Sequence, residues 1–182
     1  MIFFFDFFIS IVFGLIFLPF IIFITILIFI FDGMPIIFKS KRVGYNSKNF
    51  YLYKFRTMQN DNKKDKITYL GKFLRRTSLD EIPQIINVFK GEMSLVGPRP
   101  YPKKILKKVP KKIKKIRSMV KPGLTGYSQI YFNGKKRKLK EKINLDLYFV
   151  KNYSLNIYLK VLILTPFILI KRFLLNKTGE TL

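Results

Sequence analysis

The chain opens on an apolar run. Between residues 7 and 31 nothing is charged, and only Ser10, Gly14, Pro19 and Thr25 interrupt a succession of Phe, Ile, Leu and Val. At about 1.5 Å per helical residue the run can cross a hydrocarbon core of roughly 30 Å, which predicts a membrane helix. Pro19 lies near its middle, where a missing N–H and a ring clash kink or break a helix. Two geometries follow: a kinked helix that spans the bilayer, or one that bends at Pro19 and returns to the face it entered. A secretory signal peptide fits poorly, because the basic start and the cleavage site are missing and the run is too long.

After the turn dipeptide Asp32-Gly33 the pattern changes. β-branched and aromatic residues around turn signals at 45–49 predict a short β-hairpin, with strands over 36–38 and 50–55. Residues 59–66 are polar throughout and predict a loop. Helical spacing then takes over, at Leu70, Phe73 and Leu74 and again at Ile82, Ile85, Ile86 and Phe89. Residues 91–102, with three prolines, read as loop or extended chain. Ile105, Val109, Ile113 and Ile116 return to helical spacing among lysines, with Pro110 starting a second helix. This pair is either a surface helix pair lying on anionic lipid or a solvated charged face packed on the domain core. Residues 121–129 predict a turn-rich loop, and 135–142 a basic solvated helix or loop. Residues 161–170 are apolar but too few to span, which suggests an interfacial or core helix. The resulting class is α+β and mainly helical, with a membrane segment over 1–33 and a second domain over 34–182.

Charge sharpens this division. All 35 Lys and Arg lie beyond residue 38, whereas Asp6 and Asp32 are the only charges before it, so the first part carries −2 and the remainder, with eight acids, +27. The excess of Lys and Arg after the apolar run places the remainder in the cytoplasm. A body of this charge is attracted to anionic membrane lipids. Charge alone equally suits nucleic acid, but a membrane-tethered chain favours lipid and phosphate ligands. A hydrophobic share of 49% excludes a disordered polycation. With no His and no Cys, Ser-His-Asp triads, catalytic thiols, zinc fingers and disulfides are excluded too.

Chemistry must therefore run on carboxylates, Lys, Arg, hydroxyls or a bound metal. The eight acids beyond the membrane run are Asp61, Asp65, Asp80, Glu81, Glu92, Glu141, Asp146 and Glu180. Asp80 and Glu81 stand out as adjacent carboxylates at the start of a predicted helix, preceded by Arg75 and Arg76. Two readings stand side by side. In the first, Ser78 to Glu81 form a capping box in which Ser78 accepts from the Glu81 backbone and Glu81 reaches back. In the second, one carboxylate is a nucleophile or Mg²⁺ ligand and the other a base, with nearby arginines holding an anionic substrate. Three further clusters point to phosphate. Lys54 and Arg56 share one face of a strand by its period of two. Arg99 is stiffened between Pro98 and Pro100. The glycines of "PGLTG" would let backbone approach a ligand closely.

These clusters fall in a telling order. The succession "DGMPIIFKSKRVGYNSKNFYLYKFRTM", "LGKFLRRTSLDEIPQIINVFKGEMSLVGPRP", "KPGLTGYSQ" and "LDLYFVKN" closely resembles the bacterial sugar transferase family, the monotopic phosphoglycosyl transferases that initiate membrane-linked glycan assembly. The resemblance runs from about Asp6 to Arg172. It implies transfer of a sugar 1-phosphate from a UDP-sugar to undecaprenyl phosphate, with release of UMP. It implies Asp80 as the nucleophile that becomes covalently phosphoglycosylated and as a ligand of Mg²⁺, the implied cofactor. Glu81 would activate the incoming polyprenyl phosphate. Arg75 and Arg99 match phosphate-binding arginines, and Lys54, Arg56 and Gln129 lie in matching motifs. Asp146 matches a motif that suits an anchor for the C-terminal helices. The family's N-terminal helix is re-entrant and broken at a Ser-Pro pair, which implies a break at Pro19 and a location at the cytoplasmic face of the bacterial inner membrane. Downstream glycosyltransferases are the implied protein partners, and nucleic acid is not one.

Three departures accompany the resemblance. No basic residue precedes Asp6, which suggests a late start of the chain. Leu18 stands where the family has Ser, leaving one hydroxyl fewer at the break. The family's "GWAQVNGR" becomes "GYSQIYFNGK", with Tyr127 for Trp and Lys135 for Arg, in a loop that bears on donor selection. The competing class is a catalytically inactive membrane scaffold of glycan assembly, which keeps the basic surface and loses the chemistry.

Overall fold

A computed structural model describes residues 2–61, 64–132 and 138–175. Helix α1 (Ile2–Asp32) is followed by strands β1 (Ile37–Val43) and β2 (Asn49–Phe55), then β3 (Met58–Asp61) and β4 (Lys64–Ile67). Helix α2 (Tyr69–Thr77) leads through a 3₁₀ segment (Leu79–Gln84) into α3 (Ile85–Phe89). Strand β5 (Ser94–Val96), helices α4 (Lys103–Leu106) and α5 (Lys111–Arg117), strand β6 (Gly123–Thr125) and helices α6 (Tyr127–Phe132), α7 (Leu139–Lys151) and α8 (Leu155–Leu174) complete the order. The mainly helical class and the predicted hairpin are present. Strands β1 and β2 pair antiparallel from Ile37 opposite Phe55 to Val43 opposite Asn49, so the first strand is longer than residues 36–38.

Helix α1 is the one described helix long and apolar enough to cross a membrane, and only 11% of its most apolar stretch is buried. It is therefore not the core helix of a soluble domain. Helical structure continues through Pro19, so the expected break does not interrupt α1. Proline has no N–H to give the Leu15 carbonyl, and the helix continues with that one bond missing. At about 1.5 Å per residue, 31 helical residues extend over roughly 46 Å.

Both ends of this helix are bound to the same folded body. Near the first, the buried Asp6 carboxylate accepts from Ser94 Oγ at 2.7 Å, from the Leu95 backbone N–H at 3.0 Å, and from the Tyr158 hydroxyl. Burial and the Asp6 charge together push the Tyr158 pKa up, so its hydroxyl stays protonated and donates. At the other end Asp32 Oδ2 accepts from Thr68 Oγ1 at 2.9 Å, while Thr68 also caps α2 by accepting from Gly71. Between the ends, Ile24 and Ile28 are buried against Phe55 and Leu74.

Several expected loops have backbone order. Residues 59–66 fall largely within the β3–β4 hairpin, whose pairing leaves no trace in a pattern without apolar positions. In the predicted 121–129 loop, β6 pairs parallel with β5, and α6 begins at Tyr127. The "PGLTG" glycines approach backbone rather than offering space to a ligand. A Cβ on Gly123 would lie 2.0 Å from the Gly97 nitrogen, and one on Gly126 2.2 Å from the Gly97 oxygen. Pro110 does precede α5, but Leu106 and Val109 are buried with Tyr101 and Ile143, so the apolar side of the basic helix pair packs on the core and its lysines face outward. Helix α8 is both core and surface: Tyr158 and Val161 are fully buried, whereas Ile163, Phe167 and Ile170 are about 60% exposed.

Asp6→Ala is expected to lower stability by about 2–4 kcal/mol, because it strands one buried backbone donor and removes the acceptor of two hydroxyls. Asp6→Asn, which keeps an acceptor oxygen, should lose less. The measurement is the thermal unfolding midpoint in detergent, and an unchanged midpoint for Asp6→Ala would show the clamp to be dispensable.

Candidate active site

The carboxylate pair is presented by a change of backbone conformation. Helix α2 ends at Thr77, Ser78 turns left-handed at φ 60°, and the chain enters the 3₁₀ segment that carries Asp80 and Glu81. The capping box does not form. Ser78 makes no side-chain cap, since its left-handed backbone serves as the end of α2, and only its carbonyl accepts from the Glu81 N–H, at 3.1 Å. Pro83 and the tight turn preclude an α-helical start here.

The Glu81 carboxylate turns instead to cations. Lys54, on the buried side of β2, places its Nζ 2.8 Å from Glu81 Oε1 and 3.3 Å from Asp80 Oδ2. Arg99 Nη2 lies 3.5 Å from the same Glu81 oxygen. Asp80 is buried at 3% exposed and Glu81 partly so, and Lys54 contacts both acids of this dyad without lining the cavity they share. For Glu81, burial pushes the pKa up, but Lys54 and Arg99 outweigh it and hold the carboxyl down to about 2.

Arg99 is held from the core. Its carbonyl accepts from Arg117, whose Nε lies 2.9 Å from Asp146 Oδ2, and Ser128 Oγ donates to the other Asp146 oxygen at 2.8 Å. Asp146 is 1% exposed; burial raises its pKa, against the pull of Arg117 and Ser128. This carboxylate organises α5, α6 and α7 and stays out of the site, in keeping with an anchoring role.

The other expected residues divide. Arg75 donates from Nε to Thr57 Oγ1 at 2.8 Å and lines the same cavity as the dyad and Arg99. Gln129 lines it too, and its Oε1 is buried without a partner. Arg56 does not join them. Strand β2 ends at Phe55, which cancels the alternation that put Arg56 beside Lys54, and its guanidinium donates to the Asp32, Gly33 and Met34 carbonyls at the end of α1. A cation there complements the helix dipole. Asn133 to Lys135 of the altered loop, and Glu180, lie outside the described residues.

The cavity holds about 340 Å³ and its lining is mixed. The polar residues are the dyad with Arg75, Arg99, Gln129 and Arg172; the apolar ones include Phe13 and Phe17 of α1 and Leu162 and Leu169 of α8. Sequence reasoning missed Arg172, Phe13 and Phe17. Arg172 lies just beyond the apolar stretch 161–170, yet Thr165, Leu169 and Arg172 recur at helical spacing and so share a face of α8. Among the described residues no group of three or more acids is gathered, so any metal here would rest on the dyad and its substrate.

A carboxylate pair, three guanidinium groups and apolar side chains of a membrane-type helix thus line one cavity. The profile of the bacterial sugar transferase family matches residues 1–172, and the chain belongs to that family. It is 42% identical over 142 residues to the uncharacterized sugar transferase EpsL of Bacillus subtilis (strain 168), covering 73% of this chain and 69% of that one. It is 37% identical over 154 residues to the UDP-glucose:undecaprenyl-phosphate glucose-1-phosphate transferase of Escherichia coli (strain K12), covering 73% of this chain and 32% of that one. Against the UDP-N-acetylgalactosamine-undecaprenyl-phosphate N-acetylgalactosaminephosphotransferase of Aeromonas hydrophila, identity is 34% over 143 residues, 71% of this chain and 33% of that one. The chain thus spans about a third of the length of these two transferases.

A depressed Glu81 pKa stabilises the fold fully above its unfolded value, near 4.5, and that contribution is lost as pH falls toward about 2. Lys54→Met removes the strongest opposing charge and leaves burial dominant. On acid titration it should lose helical circular dichroism at a higher pH than the wild type; coincident curves would show that Lys54 does not hold Glu81 ionised.

Proposed function

We propose that this protein is a membrane-associated phosphoglycosyl transferase that moves a sugar 1-phosphate from a UDP-sugar to undecaprenyl phosphate, as a first membrane step of polysaccharide or glycoconjugate synthesis. The observation that carries this reading is the cavity, which pairs the dyad and its arginines with an apolar trough. Names of the relatives supply the substrate classes. In the first step an Asp80 carboxylate oxygen attacks the phosphorus bearing the sugar, and the bond to the bridging oxygen breaks to release UMP. In the second, an oxygen of undecaprenyl phosphate attacks the same phosphorus and the Asp80 carboxylate leaves, giving undecaprenyl-diphosphate-sugar. Arg75 and Arg99 hold the phosphoryl oxygens through charge-assisted hydrogen bonds.

Glu81 has a narrower part. At a pKa of about 2 it is a weak base, suited to anchoring Lys54 and Arg99 in the resting site. It takes up a proton from the incoming lipid phosphate only after substrate has drawn those cations away. Mg²⁺ fits a site with few acids, since it is held by one or two carboxylates plus substrate phosphates, and Asp80 is the residue to hold it. When bound, it would neutralise diphosphate charge.

The membrane geometry follows from the tethering of α1. Its two ends are bound to one body, through Asp6 and through Asp32, and that body carries the +27 remainder. We infer that both ends of α1 stay on the cytoplasmic face, with its bare outer side in lipid.

Purified protein incubated with UDP-sugars, Mg²⁺ and undecaprenyl phosphate should release UMP. Asp80→Asn should lower the rate by about three orders of magnitude, and a chelator should abolish it until Mg²⁺ is restored. Substantial turnover by Asp80→Asn would remove Asp80 as nucleophile; a wild type inert toward every donor would favour the scaffold reading.

Because the chain has no cysteine, one Cys introduced at the N-terminus reports its side of the membrane without background. It should resist impermeant maleimide in intact cells and react after permeabilisation. Labelling from outside would establish a spanning helix.

A further inference from the structure

Arg172 is a buried cation without an acid of its own. It is 8% exposed and lies in the last turn of α8. Among the described residues no carboxylate comes within ion-pair distance of it. One guanidinium nitrogen, Nη2, donates to the Gln129 carbonyl, while Nε is buried with no acceptor. Burial lowers the Arg172 pKa, Arg99 lowers it further, and Glu81 opposes. Guanidinium remains charged under such pressure, so the surroundings favour arrival of an anion. The end of the α8 dipole supplies only a fraction of a charge.

Placement of Arg172 identifies that anion. Lys54 lies behind the dyad and Arg99 beside Glu81, so these two cations already serve the carboxylates. Arg172 lines the cavity with the dyad and Arg99, whose charges it feels, and with apolar residues of its own helix. On α8 it follows Leu162, Thr165 and Leu169 along the lining face, so a hydrocarbon chain packed on that face and on Phe13 and Phe17 would bring its head to the guanidinium. A nucleotide sugar has no apolar chain to occupy this wall. The end of α8 is fixed as well, because Arg76 stacks over the Phe173 ring at 4.7 Å and donates to its carbonyl at 3.2 Å.

We propose that Arg172 binds the phosphate of the polyprenyl acceptor through Nε and its charge, separately from the arginines that hold the donor. The assignment rests on the transferase reading for the identity of the acceptor. It divides the cavity by substrate: α8 receives the lipid phosphate, whereas α2 and the β5–α4 loop, with Arg75 and Arg99, receive the sugar phosphate.

The test compares Arg172→Gln with Arg172→Lys in the full-length protein. Both keep a donor for the Gln129 carbonyl and differ in charge. Retention of radiolabelled undecaprenyl phosphate by the detergent-solubilised protein is measured without donor, alongside the KM of each substrate. Arg172→Gln should weaken retention and raise the acceptor KM by about tenfold to a hundredfold, the loss typical of one charge-assisted contact, and leave the UDP-sugar KM within about twofold. Arg172→Lys should fall between that variant and the wild type, with an acceptor KM raised only several-fold by loss of the planar fork. Equal retention by both variants and the wild type, or parallel rises in both KM values, would overturn the assignment. If Arg172→Gln does not fold, Arg172→Lys carries the test: loss of the planar fork should raise the acceptor KM several-fold alone, and an unchanged value overturns it. A wild type that turns over no UDP-sugar would refute the reaction, while retention would still decide Arg172.

Discussion

Two adjacent carboxylates removed from water repel each other and lose hydration, and neither stays ionised there without a cation. Lys54 supplies it from one ammonium group that reaches both Asp80 and Glu81. Much of the body can be understood as support for that contact. The β1–β2 hairpin directs Lys54 inward, with Phe55 beside it in the core. The left-handed Ser78 turns the chain out of α2 in time to aim both acids at one point. A lysine on the outer side of β2 would remove the one ammonium that reaches both acids and leave Glu81 to the longer contact with Arg99.

A second network lies behind the first. Arg99 reaches the dyad from a proline-flanked loop, and the loop is positioned through its backbone: Arg117 takes the Arg99 carbonyl, and Asp146 and Ser128 hold Arg117. Backbone crowding adds to this, since Gly97, Gly123 and Gly126 let the β5 and β6 segments meet at distances that no side chain would permit. The glycines of "PGLTG" therefore act on the site at one remove, by packing the Arg99 loop against its neighbour. Asp146 does the same electrostatically. Removing either support would move a guanidinium that neither touches.

What could be read in the sequence follows from which patterns are local. The apolar run, the hairpin and the basic character of α4 and α5 announce themselves because each repeats along a few consecutive residues. Asp80 and Glu81 stood out through scarcity, as adjacent acids in a chain with very few. The failures lie where long-range contacts decide. The capping box at Ser78 was a sound local inference defeated by Lys54, 24 residues upstream, which recruits Glu81. Arg56 follows the strand by one residue too many and is captured by the end of α1. Arg172 lies far along the chain from the dyad, and no local pattern connects them.

Charge segregation along the chain gains a physical purpose once α1 and the cavity are considered together. A helix of this hydropathy whose ends are both clamped to a basic body cannot leave that body behind, so the body is drawn to the membrane surface along the length of α1. Phe13 and Phe17 line the cavity from the same helix whose other faces are bare, which makes the trough continuous with the surface that lipid covers. In the proposed reaction, a lipid substrate would not need to be lifted into water to reach the dyad. Only its phosphate would cross from the interface to the arginines of the cavity, Arg75, Arg99 and Arg172. A buried cation that is costly in an empty protein core is then the feature that would draw a phosphate across that short distance.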